Sequence, residues 1–437
     1  MARAKSVGLR QTMNITVLGL WHLGCVTAAC CARHHAVTGL DFDPAAIPPL
    51  NAGQAPLSEP GLNDLIAEGL AAQRLRFTSD PAAACAQADV LWVAYDTPVD
   101  ADDIPDPGYV LDRFRRCVPH LRRDTLVILS SQLPVGTAAQ LERETAAAGL
   151  RFACLPENLR LGKALAIFQN PDRIIAGVRT AADREQVATL LRPFSENVIW
   201  MRPESAEMTK HSINAFLALS ISFMNEVARL CEQTGADARE VEQGLKSESR
   251  IGPKAYLSPG GAFAGGTLAR DITTLTTVGQ HKHIDLRLIP AIKASNDAHK
   301  LWADHKLVQL LGDLRGQTVA VLGLTYKPGT DTLRRSSAVE LCQRLHAAGA
   351  KVKSFDPASP AIPSELIAPL GYCDSAANAL RDADAVVICT EWPEFRALPW
   401  AELIPTLRGQ RILDANRFLA KELQNLSGIL YATVGTG

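Results

Sequence analysis

Apolar residues recur along the first half of the chain as short runs. Each run is closed by polar or glycine-bearing residues and followed by an alanine-rich stretch long enough for a helix. The runs at 15–18, 37–40, 90–94, 125–129 and 152–155 read as buried strands. Mostly apolar strands alternating with helices are the pattern of a parallel sheet covered on both faces. A different pattern takes over at 205–234, SAEMTKHSINAFLALSISFMNEVARLCEQT. This segment holds no proline or glycine, is stopped by Gly235, and predicts one long helix. A further helix is expected to end near residue 311. The apolar runs resume at 318–322, 352–355, 385–389 and 412–413, with a helix at 337–348. The expected class is therefore α/β: two Rossmann-like doubly wound domains joined by a central long-helix dimerisation region. The expected boundaries are a flexible N-terminal extension at 1–13, a first Rossmann domain at 14–204, the helical region at 205–312 and a second nucleotide-binding domain at 313–437.

The residues at the strand ends carry the first chemistry. The run at 15–18 leads into Gly19, a helix begins near Leu23, and Asp41 closes the next strand just over twenty residues after Gly19. In a Rossmann unit such an acid bonds the adenosine ribose, and the helix N-terminus faces the pyrophosphate. The turn reads GLWHLG. Gly19 and Gly24 are in place, Leu20, His22 and Leu23 fill the turn, and Trp21 stands where the second glycine belongs. Ligands of such sheets lie beyond the carboxyl ends of the strands. The expected rim is therefore Tyr95-Asp96-Thr97-Pro98, Ser130-Ser131-Gln132-Leu133-Pro134 and Pro156-Glu157-Asn158. The second half weakly repeats the plan, with Gly323, Asp356, Thr390 and Asp414 at its strand ends. A cofactor on the first unit and a nucleotide-bearing substrate on the second is the expectation.

Lys210 and Asn214 sit four apart on the long helix and share a face. An ammonium and a carboxamide so placed can hold and polarise an alcohol or carbonyl oxygen; a solvated helix face is the plainer reading of the same pair. A long helix after a Rossmann unit also suits contact with a second copy of the chain, so a homodimer or higher homo-oligomer is expected.

Composition removes other classes. The formal net charge is −1, with 21% charged and 47% hydrophobic residues, so there is no electrostatic footprint for nucleic acid. The segment 15–32 follows Arg3, Lys5 and Arg10 and mimics a signal peptide or membrane span. His22 in its middle favours strand, turn and helix instead, so no membrane association is expected. Ten cysteines show no disulfide-like pattern, and a reducing, cytoplasmic setting follows. Cys25, Cys30, Cys31, His34 and His35 lack zinc-type spacing, so they read as helix packing and no metal is expected.

Seven segments in chain order carry a resemblance: LNAGQAPLSEPGL (50–62), PVGT (134–137), PDRI (171–174), SAEMTKHSINAFLA (205–218), SRIG (249–252), GLTYKPGTDTLRRS (323–336) and TEWPEF (390–395). Together they resemble the nucleotide-sugar dehydrogenase family, enzymes of the UDP-glucose 6-dehydrogenase type, from about residue 14 to about residue 417. The resemblance implies an NAD domain, a central dimerisation region and a UDP-sugar domain. It also implies two oxidations at the sugar C6, the second through a cysteine thiohemiacetal, and a place in polysaccharide biosynthesis. By the same resemblance Asp41 holds the adenosine ribose, and Gly19, Leu20, Trp21, His22, Leu23, Gly24, Thr97, Gln132 and Lys327 line the cofactor. Glu157 is the general acid/base, and Lys210 and Asn214 are oxyanion and sugar contacts. Asp271 orders water. Asn158, Leu159, Arg250, Tyr256, Gly260, Gly261, Lys327 and Arg334 contact the substrate, with Arg250 coming from the same or a neighbouring subunit.

The departures cluster at the chemistry. The family's GGSCFPKD falls here on the segment ending Gly265-Gly266-Thr267-Leu268-Ala269-Arg270-Asp271. Thr267 takes the nucleophile's place and Arg270 replaces the lysine. Gln132 stands for a threonine and Leu161 for a glutamate. A thiol titrates near pH 8.5 and is readily ionised, whereas a threonine hydroxyl is a far weaker nucleophile without an adjacent base. Cys154, on the strand before Glu157, reads as core. Oxidation to the aldehyde needs no thiol, so the main expectation is a dehydrogenase that releases the aldehyde or oxidises its hydrate without a covalent intermediate. A redox-neutral NAD enzyme and a binding-only homologue remain beside it. A 3-hydroxyacid-type dehydrogenase shares the Lys/Asn helix, but the second nucleotide domain argues against it.

Overall fold

The computed structural model describes residues 12–100, 104–157, 159–264 and 266–436. The chain divides after Ile213 into two compact units. The first is built on eight strands: β1 (Asn14–Leu18), β2 (Ala36–Leu40), β3 (Leu75–Thr78), β4 (Val90–Val93), β5 (Leu126–Leu129), β6 (Arg151–Cys154), β7 (Ile174–Val178) and β8 (Val198–Met201). Their order is β3-β2-β1-β4-β5-β6-β7-β8. Only the β6–β7 pair is antiparallel among these neighbours. β4 and β5 are buried at every position, as their unbroken apolar runs require. The helix His22–Ala32 is buried from Leu23 through Ala32, because Ala28, Ala29, Cys30 and Cys31 are small enough to lie flat against the sheet. One core lies on its side of the sheet and a separate one, centred on Phe114 and Phe152, on the other.

The Asn214–Gly437 unit holds β9 (Thr318–Leu322), β10 (Lys351–Phe355), β11 (Ala385–Ile388), β12 (Arg411–Asp414) and β13 (Leu430–Ala432), in the all-parallel order β10-β9-β11-β12-β13. Helices Thr267–His281, Leu288–Lys300 and Trp302–Leu311 precede this sheet.

The long helix spans Pro203–Thr234, starting two residues before the expected 205. Proline lacks an N–H, but the first-turn N–H groups of a helix have no intrahelical acceptor, so Pro203 opens the helix rather than blocking it. Strands β3, β7, β8 and β13 were not anticipated from the sequence. No helix among the described residues is long and apolar enough to cross a membrane.

The turn after β1 depends on Gly24. A Cβ there would lie 1.6 Å from the Gly19 carbonyl oxygen, an overlap only backbone movement relieves. Gly24→Ala is expected to destabilise the protein by about 2 kcal/mol or more, read as a lower urea midpoint. An unchanged midpoint would contradict this close approach.

Candidate active site

In the first unit the turn and the acid meet. The Leu20 N–H donates to Asp41 Oδ2 at 2.8 Å; the Asp43 N–H and the Tyr95 hydroxyl each donate to Oδ1 at 3.1 Å. Asp41 stays partly exposed, and Oδ2 accepts one hydrogen bond among the described residues, which leaves capacity for a ribose hydroxyl. Trp21 caps the helix in extended conformation, and its side chain is half exposed rather than packed into the turn. His22 Nε2 lies 2.9 Å from Glu59 Oε2, and Glu59 also accepts the Gly162 N–H at 2.7 Å and the Ala164 N–H at 2.8 Å. Burial works against ionisation of Glu59, but these partners hold its carboxyl below the usual range. Leu23 is core, Thr97 is buried with its hydroxyl donating to the Gln132 carbonyl at 2.6 Å, and Gln132 is partly buried. The turn, the helix start and the open Asp41 oxygen fit a dinucleotide.

Glu157 follows β6. The Leu159 N–H donates to its carboxylate, and Lys210 Nζ donates to its carbonyl oxygen at 2.7 Å. A mainly apolar pocket of about 100 Å³, lined by Leu23, Trp92, Leu155, Leu159 and Phe168 among others, adjoins Glu157. Burial raises the Glu157 pKa above the usual carboxylate value; the Lys210 charge opposes this without cancelling it. Asn158 lies outside the described residues. Cys154 is core, and burial pushes its thiol well up, so it is no substitute nucleophile.

In the second unit Asn214 Nδ2 donates to the carboxylate of Asp271, which is 0% exposed. Asp271 is one turn into the helix that Thr267 starts, and Thr267 is exposed. The loop leading to Thr267 is held by side-chain amides. Asn225 Oδ1 accepts the Gly260 N–H at 3.0 Å, Asn416 Oδ1 the Gly261 N–H at 2.7 Å, and Asn296 both accepts from and donates to the Phe263 backbone. Lys327 is partly buried, while Arg334 and Tyr256 are exposed. Arg250 is exposed and bonds Glu248, not another of the expected site residues. A Cβ built on Gly266 would face Arg335 and Tyr326 at 3.6 and 3.9 Å, so these two, which the sequence reading passed over, flank the Thr267 turn. Their signal was their place in GLTYKPGTDTLRRS.

Asp356 repeats the position of Asp41, with a different outcome. Its Oδ2 accepts from the Leu324 N–H at 2.6 Å, the Thr325 N–H at 2.9 Å, and the Thr325 hydroxyl and Trp392 Nε1, both at 3.1 Å. It is 0% exposed, so the chain's own donors fill the place a ribose would take.

The chain belongs to the UDP-glucose/GDP-mannose dehydrogenase family. Residues 13–195 match its NAD binding domain, 204–298 its central domain and 320–421 its UDP binding domain. It is 37% identical over 435 residues to the UDP-glucose 6-dehydrogenase of Rhizobium meliloti, covering 97% of this chain and 99% of that one. It is 34% identical to the UDP-glucose 6-dehydrogenase of Pseudomonas aeruginosa, with 97% of each chain covered. A UDP-glucose dehydrogenase structure from Pyrobaculum islandicum superposes with a TM-score of 0.87 at 29% identity over the whole of both chains.

A buried carboxylate with a raised pKa destabilises the fold once it ionises. Glu157→Gln is therefore expected to be more stable than the parent above the raised pKa. The gap should close as pH falls toward the ordinary carboxylate value. Chemical denaturation across pH 5–8 measures it; a gap independent of pH would contradict the shift.

Proposed function

We propose that this member of the family is an NAD-dependent dehydrogenase that oxidises the C6 hydroxyl of a UDP-hexose and stops at the aldehyde. The observation that carries the reading is Thr267, exposed at the start of its helix where the resemblance calls for a thiolate, with Glu157, Lys210, Asn214 and Asp271 all present. Family membership and the UDP-glucose dehydrogenase relatives support the substrate class.

Gly19, Leu20, Trp21, His22, Leu23, Gly24, Asp41, Thr97 and Gln132 would hold the dinucleotide, with Lys327 assigned by the resemblance. Bound there, NAD supplies a hydride acceptor. Glu157 takes the hydroxyl proton, for which a raised carboxyl pKa brings it nearer to neutrality. The Lys210 ammonium and the Asn214 amide stabilise charge growing on the C6 oxygen. Asp271, held by Asn214, orders water at the aldehyde. Leu159, Arg250, Tyr256, Gly260, Gly261, Lys327 and Arg334, with Asn158, are assigned to the UDP-sugar. The threonine hydroxyl, with no base beside it among the described residues, leaves the carbonyl uncaptured. Binding of the nucleotide sugar without turnover is the second reading, which the same Thr267 favours.

The long helix exposes Phe216 by 67%, Phe223 by 48% and Leu230 by 66%, a stripe of sevenfold spacing that supports pairing with a second copy. Ten free cysteines support a reducing, cytoplasmic setting.

With UDP-glucose and NAD, hydroxylamine present during turnover is expected to trap a C6 aldehyde from the wild-type chain. In Thr267→Cys the trapped fraction should fall as uronic acid appears. Uronic acid as the only wild-type product would overturn the reading. Asp271→Asn is expected to lower kcat by about 100-fold; an unchanged kcat would remove Asp271 from the chemistry.

A further inference from the structure

Asp41 and Asp356 each accept a hydrogen bond from an aromatic side chain at the same place in their sheets. β4 and β11 pair with the strands that enter the two turns, β1 and β9, on the side away from the strand that carries the acid. Tyr95 stands just past the end of β4, and Trp392 just past the end of β11. The two donors differ in the oxygen they take. Trp392 Nε1 donates to Asp356 Oδ2, which already accepts the Leu324 N–H, and closes it. Tyr95 donates to Asp41 Oδ1 at 3.1 Å, and among the described residues Oδ2 keeps the Leu20 N–H alone.

The Tyr95 phenol has little freedom to do otherwise. Its oxygen accepts the Phe42 N–H at 3.4 Å, which leaves its proton for Asp41. Burial, and then the Asp41 charge, raise its pKa, so the phenol keeps that proton. The ring lies against the turn, since a Cβ on Gly19 would come within 2.6 Å of it. Tyr109 meets it edge-on with centroids 5.7 Å apart, and the Arg113 guanidinium sits 3.3 Å from the Tyr109 centroid. Tyr95 is 5% exposed, so the Oδ1 lone pair it occupies points into the protein and is no place for a ribose. The other two donors to Asp41 are backbone N–H groups, which any sequence would supply. The phenol is the contribution of a particular side chain.

We propose that Tyr95 is a positioning residue for the cofactor: its hydroxyl holds the Asp41 carboxylate so that Oδ2 is presented to the adenosine ribose. A hydroxyl bonded to a carboxylate is a strong enough contact to fix one orientation. Without it the carboxylate turns more freely about its Cβ–Cγ bond, and ordering it again weakens binding. The proposal rests on the assignment of Asp41 to the ribose.

The ribose hydroxyls isolate the effect. Calorimetric titration of the full chain, with UDP in excess, compares ADP with 2′,3′-dideoxy-ADP. The wild type is expected to bind ADP about thirtyfold tighter than the dideoxy nucleotide. Tyr95→Phe keeps the ring against Gly19 and removes only the hydroxyl. It should weaken ADP about tenfold and leave dideoxy-ADP unchanged, so that the preference shrinks to about threefold. In an Asp41→Ala background the same change should alter ADP binding no further. A full preference surviving in Tyr95→Phe, tighter ADP binding there, or equal losses for both nucleotides would overturn the positioning role. Equal affinities for the two nucleotides in the wild type would instead overturn the Asp41–ribose assignment, and the proposal with it. No ADP binding by the wild type would overturn the dinucleotide turn itself.

Discussion

A backbone N–H left bare at a strand-to-helix turn must find an acceptor, and in both units that acceptor is the aspartate ending the neighbouring strand. Leu20 reaches Asp41 in the first unit and Leu324 reaches Asp356 in the second. This single contact sets the mouth of each Rossmann turn. What differs is the company. Asp356 is buried and saturated by Thr325 and Trp392, whereas Asp41 is partly exposed and retains acceptor capacity. One fold, used twice, thus offers a dinucleotide-type acid once, in agreement with the separate matches of the two ends of the chain to NAD and UDP binding domains.

The candidate chemistry is built from charges kept out of water. Glu157 ionises against burial with Lys210 beside it, and Asp271 is fully enclosed with the Asn214 amide as donor. Such arrangements are worth their destabilising effect where charge develops during a reaction. On the proposed reading, a threonine at position 267 would leave that apparatus intact for proton and hydride removal and withdraw only the covalent step.

The sequence was most legible where one rule dominates. Mostly apolar runs marked β1, β2, β4, β5 and β9 almost to the residue, and the spacing from Gly19 to Asp41 located the dinucleotide turn. β8 escaped because it is a half-exposed strand at the sheet edge, and β3 because its residues alternate LRFT over four positions. The Glu59 tie to His22, Gly162 and Ala164 was invisible, since its partners are brought together only by folding. Tyr95 was seen as a rim residue, but not as a donor to Asp41. Strand ends placed Glu157 on the rim and helix spacing paired Lys210 with Asn214, whereas their roles, and Asp271 altogether, came from resemblance. The pairing of Asn214 with Asp271 and of Lys210 with the Glu157 backbone needed coordinates.

The most direct test of the whole account is the number of NADH molecules formed per UDP-glucose consumed by the wild-type chain, read at 340 nm with the product mass. The account expects one NADH and an aldehyde. Two NADH with a uronic acid would contradict it, because the full oxidation would then proceed without the thiol; no NADH beside tight UDP-glucose binding would contradict it from the other side.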